Sequence, residues 1–188
     1  MPSPLSHIVM GYVIYRISDD YFSSEKKRGI WYFPRNFLII GSLSLLADLD
    51  SVVGIVSGQF GRYHNNLTHS LIFGLLAALM SAIVLGWGQQ SSFFQWLMVA
   101  FLAYESHVFL DYLTFGRGVM LFWPFSTARF GSPIKIFYGL HWSEGWTSVR
   151  HVWTFVTEIV FFLLLYILYN LFYRLRHKFT RWMTDDSD

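Results

Sequence analysis

Ala47-Asp48-Leu49-Asp50 sets two carboxylates directly behind the apolar run 37–47, and Thr68-His69-Ser70 stands just before the next apolar run, 71–85. An acid at the centre of a bilayer costs roughly 2.5–3.5 kcal/mol on insertion scales, so ionisable groups in or at the edge of a membrane segment point to function. Working outward, His64 precedes His69, and His107 and Asp111 stand four apart in a later apolar segment. His7 lies near the start of the chain.

Composition places these runs in a membrane. Of 188 residues, 54% are hydrophobic and only 14% charged, with a mean hydropathy of +0.39. Soluble domains carry about 25% charged residues, so this chain lacks the polar surface that water requires. Its length fits one domain, 1–188. A net charge of +2 gives no basis for a nucleic-acid partner. The absence of cysteine excludes disulfides, thiolate metal sites and a cysteine nucleophile, so any metal must be held by imidazole and carboxylate. The N-terminus shows neither the basic region nor the small-residue cleavage site of a signal peptide, so His7 is expected in the mature protein.

The pattern predicts an all-α membrane bundle with four or five embedded helices and a long functional loop before the last span. Ser3-Pro4 reads as N-cap and first helical position of a helix over about 4–18, short for a span, which needs about 20 residues. A polar connection, 19–36, contains Glu25-Lys26-Lys27-Arg28. A span follows from 37 to 47, with a continuation towards residue 56. The next helix begins around 66–68 and runs to about 85, with a polar turn over 86–92 and a further span over 93–115. Residues 116–150 are rich in Gly, Pro and Trp, and long ordered loops carry function. The last span, 152–173, contains one acid, Glu158, and leads into Arg174, Arg176, Lys178 and Arg181. Placing the basic clusters 26–35 and 174–181 inside, as the positive-inside rule prefers, puts every candidate ligand and the 116–150 loop on the outer side.

His107 and Asp111 share a helix face and can meet one ion. Asp48 and Asp50, two apart, share a site only at a helix end or an irregular turn. With His7, His64 and His69 they form a set of imidazoles and carboxylates suited to zinc first, or to manganese or iron. One or two ions would also remove the mutual repulsion of the acids, and metal-activated water is the usual agent of such hydrolytic sites. Asp50 or Glu105 is a candidate for the water's proton, and His141 and Glu144 for protonating the leaving group or completing the shell. Arg62, Arg117 and Arg129 are candidate phosphate contacts.

The sequence also resembles the bacterial inner-membrane metal-dependent hydrolases, a group distantly akin to zinc-dependent phospholipases. The resemblance covers nearly the whole chain. It rests on residues 1–7, ending in Ser6-His7, on Ala47-Asp48-Leu49-Asp50, on His64 through Thr68-His69-Ser70, and on His107 and Asp111 followed by Pro124-Phe125-Ser126. One departure is Asn65-Asn66, where the family pattern has Arg-Gly. The resemblance implies metal-dependent hydrolysis at the membrane, with a lipid or lipid-linked ester or phosphoester as substrate. Other classes predict different behaviour: a divalent-metal or proton-coupled transporter moves ions without hydrolysis, a haem protein absorbs in the Soret region, and a metal-stapled scaffold keeps closed coordination.

Overall fold

In the computed structural model, residues 1–22, 32–59, 62–87, 90–140 and 147–185 are described. The cluster at 25–28, His141 and Glu144 lie outside them. The described residues are all-helical: α1 (Pro4–Phe22), α2 (Tyr32–Leu43), α3 (Leu49–Val56), α4 (Leu71–Leu85), α5 (Gln90–Tyr112) and α6 (Arg150–Asp185). Single 3-10 turns, Leu46–Asp48 and Leu67–His69, precede α3 and α4.

By length and composition, 93–112 of α5 and 150–175 of α6 can each cross a membrane. The count rises to three if α2 and the Leu46–Val56 segment, bent by 48° at their break, form one span. Helix α4 is apolar but shorter.

Small residues bring the helices together. Gly74, Ala78 and Ala82 lie along one face of α4, with Ala100 and Ala103 on α5; the four alanines are fully buried. This is the small-residue seam by which apolar helices associate without a hydrophobic driving force, and α4–α5 is the most extensive helix pair. A Cβ at Gly74 would run into Glu105 Oε1. A Cβ at Gly11 would meet Ser44 Oγ at 2.7 Å and Gly41 Cα at 3.2 Å, so Gly11 sets the close crossing of α1 and α2 one turn below His7. Ile14, Tyr15, Ile40, Leu43, Val99, Ala78, Ala100 and Ala103 fill the core between these helices.

The break between α2 and the following turn decides the site. In an uninterrupted helix the Asp48 N–H would bond to the Ser44 carbonyl. Here it bonds to Leu45 O at 3.0 Å, and the chain turns. The Ser44 carbonyl is thereby released for another donor.

Helix α6 attaches through its N-terminal half. Glu158, 4% exposed, accepts from Ser3 N at 2.5 Å and from Ser3 Oγ at 2.6 Å, fastening the start of α1 as a cap supplied from another helix. Thr154 Oγ1 donates to Gly139 O at 2.8 Å, and Phe161 packs edge-on against Phe137. Beyond that, Leu163, Leu164, Ile167, Leu168 and Leu171 are exposed, an apolar surface matched to lipid.

Replacing Glu158 by alanine leaves two buried donors of Ser3 without a partner. The expected cost is about 2–4 kcal/mol of unfolding free energy in detergent, and unchanged stability would show that α6 is not fastened this way.

Candidate metal centre

Four elements and one loop supply the site. His7 comes from the first turns of α1, and Asp48 from the 3-10 turn after the break. His64 comes from the loop before α4, His69 from the 3-10 turn that opens it, and His107 and Asp111 from α5. His7, His69 and His107 are fully buried, and Asp111 is 2% exposed. Asp48 and His64 have side-chain exposures of 16% and 11%, so the cluster meets the surface along their edge.

The carboxylates stand among imidazole nitrogens. Asp111 Oδ2 is 3.2 Å from His69 Nε2, 3.6 Å from His64 Nε2 and 3.9 Å from His107 Nε2, while its Oδ1 is 3.9 Å from His7 Nε2. Asp48 Oδ1 is 3.5 Å from His107 Nε2 and 3.3 Å from His64 Nδ1. His7 stacks on His107 with ring centroids 3.6 Å apart.

The far sides of three rings are tied off. His107 Nδ1 lies 2.8 Å from the freed Ser44 carbonyl, an acceptor only, so Nδ1 carries the proton and Nε2 presents its lone pair. Asp50 does the same for two rings at once: its Oδ1 is 3.2 Å from His64 Nδ1 and its Oδ2 is 3.2 Å from His69 Nδ1. Thr68 Oγ1 donates to Asp50 Oδ2 at 2.6 Å, and Ser51 Oγ stands 2.9 Å from His64 Nδ1. A carboxylate or carbonyl behind a ligating histidine is the usual way its tautomer and ring angle are fixed.

What remains is a set of buried atoms with no hydrogen-bond partner: His7 Nδ1 and Nε2, His64 Nε2, His69 Nε2, His107 Nε2, Asp48 Oδ1 and both oxygens of Asp111. Buried polar atoms are nearly always paired, so their convergence is itself an observation. These residues fall into three overlapping triads whose ligand atoms lie within 4.8 Å of one another: His7, Asp48 and His107; Asp48, His64 and His69; His69, His107 and Asp111. The donor types and their orientation fit a divalent ion. Without one, burial pushes the His69 imidazole towards neutrality, but the Asp111 and Asp50 carboxylates on either side outweigh it and raise its pKa to about 9. The position favours positive charge, which a bound ion supplies in place of the proton.

Asp50, expected as ligand or proton acceptor, belongs to none of the triads, because its oxygens face the Nδ1 atoms and hydroxyls behind the rings. Glu105, two residues from His107, points off that face towards Gly74 in the α4–α5 seam. The arginines also differ from a phosphate clamp. Arg117 donates to His64 O, and Arg129 donates to Asn65 O at 3.0 Å, to Gly118 O at 3.1 Å and to Asn66 Oδ1. They pin the loop that carries His64. Asn65 takes a left-handed φ of 59°, a conformation that asparagine tolerates better than most residues.

The model of the family described as YdjM inner membrane protein matches residues 1–179, and the chain belongs to that family. It is thus a bacterial inner-membrane protein. No curated protein and no solved structure matches it.

Asp50→Asn keeps the shape of the side chain but removes the acceptor from one of the two Nδ1–H groups. Zinc affinity measured by competition with a chelator is expected to fall about 10–100-fold, with the metal content at saturation unchanged. Affinity equal to wild type would contradict the orienting role.

Proposed function

We propose that this YdjM-family protein is a membrane-embedded metal-dependent hydrolase that cleaves an ester or phosphoester of a lipid or lipid-linked substrate. The observation that carries the reading is the convergence of six imidazole and carboxylate side chains whose inward-facing atoms have no partner in the protein. With no thiolate available, this donor set suits zinc first, and manganese or iron next. His7, Asp48, His64, His69, His107 and Asp111 would hold the metal. When bound, it supplies acidified water at neutral pH and polarises the ester that the water attacks.

The chain's own groups do the rest. Asp50 and the Ser44 carbonyl keep three imidazoles in the ligating tautomer. Ala47, Tyr104 and Val108, from the 3-10 turn and α5, and Val119, from the loop after α5, form a buried apolar cluster; a low-dielectric surrounding strengthens electrostatic interactions nearby. Access along the Asp48 and His64 edge leads past α3, which leaves Leu49, Val52, Val53, Ile55 and Val56 exposed. An apolar rim beside a polar, metal-ready cluster suits a substrate with a hydrocarbon part and an ester or phosphoester head. In this reading four or five helices are embedded, the shorter ones supported by α5 and α6, and the cluster faces the outer side of the membrane.

One observation favours a rival. The bent α2–α3 pair resembles the discontinuous helices that line ion sites in transporters. Transport predicts divalent-metal flux in proteoliposomes without hydrolysis.

Detergent-purified wild type loaded with zinc is expected to hydrolyse phospholipid or lipid-phosphate esters, and His69→Ala and Asp111→Ala to lose at least about 100-fold in rate. Equal rates in wild type and both variants, or metal flux with no hydrolysis, would overturn the assignment.

A further inference from the structure

The three triads differ in which residues they share. Triads that share His69 or His107 cannot both be filled, because a neutral imidazole with Nδ1 protonated offers a single lone pair. A carboxylate has two oxygens and can serve two ions. One pairing of triads shares only a carboxylate: His7, Asp48 and His107 on one side, and His64, Asp48 and His69 on the other.

Asp111 occupies the complementary place. Its Oδ1 faces His7 at 3.9 Å, in the first group, and its Oδ2 lies nearest to His69 at 3.2 Å and His64 at 3.6 Å, in the second, with His107 of the first group at 3.9 Å. Asp48 Oδ1 stands 3.5 Å from His107 Nε2, in the first group, and Asp48 is grouped with His64 and His69 in the second. Each carboxylate therefore lies between the two histidine pairs. Among the described residues no triad contains both His7 and His64, so the six donors do not close on one point.

We infer that the centre holds a pair of divalent ions, one on His7 and His107 and one on His64 and His69, bridged by the carboxylates of Asp48 and Asp111. The inference rests on the metal-centre reading above and specifies its nuclearity. The two pairs are also supported separately: His107 is oriented by the Ser44 carbonyl, and His64 and His69 by Asp50. The first pair is thus built by α1, the broken helix and α5, and the second by the loop and turn ahead of α4.

The test is a metal count on the full-length protein in detergent, stripped with a chelator and reloaded, together with the spin state of the bound metal. Zinc per chain is measured by mass spectrometry against protein from amino-acid analysis. Manganese-loaded protein is examined by electron paramagnetic resonance, which separates isolated ions from ions coupled through shared ligands. The expected result is two zinc ions per chain, and a manganese spectrum in which the isolated-ion pattern is replaced by that of a coupled pair. One zinc per chain with an isolated manganese pattern would overturn the pair and leave the metal centre standing. Two ions with no coupling would overturn the bridging. No bound metal would overturn both readings together.

Discussion

Asp111 sets the constraint on which this structure depends. Its carboxylate is 2% exposed in an apolar bundle, and neither oxygen has a hydrogen-bond partner. A charge so placed is costly unless something positive compensates it. The groups around it are four imidazole nitrogens at 3.2–3.9 Å, and three of these rings are held from behind so that Nε2 faces inward. The protein offers lone pairs where a cation is needed. A divalent ion would meet both deficits at once.

The architecture is arranged to keep that convergence. The release of the Ser44 carbonyl at the end of α2 and the turn that follows aim Asp48 inward and orient His107 with one rearrangement. Gly11 allows α1 to approach closely enough to stack His7 on His107, and Glu158 on α6 holds the start of α1. The loop bearing His64 is pinned by guanidinium groups bonded to its carbonyls. Elements far apart in sequence are thus committed to one small volume.

Several of these features were legible in the sequence. Ser3-Pro4 marks the start of α1, and the spacing of His107 and Asp111 puts them on one face of α5. Asp48 acts from an irregular turn, the 3-10 segment Leu46–Asp48, while Asp50 lies in the first turn of α3. Other features left no local signal. The break after Leu43 has neither proline nor glycine within it, so nothing announced that Ser44 would lose its helical partner. The role of Asp50 depends on which nitrogen each ring turns towards it, which spacing does not encode. Arginines near a supposed phosphate site read as anion contacts, but here Arg117 and Arg129 also donate to backbone carbonyls of the His64 loop. Glu105 follows from helix geometry, since a residue two away from His107 cannot share its face.

Whether this histidine and aspartate cluster is a metal centre is decided by X-ray absorption at the zinc edge. Protein purified from membranes without chelators and loaded with zinc should show a first shell of nitrogen and oxygen only, at about 2.0–2.1 Å. The outer-shell scattering should be that of several imidazoles, and should diminish in His107→Ala. Zinc without imidazole scattering, or a spectrum unchanged by loss of His107, would place the metal elsewhere and contradict the account.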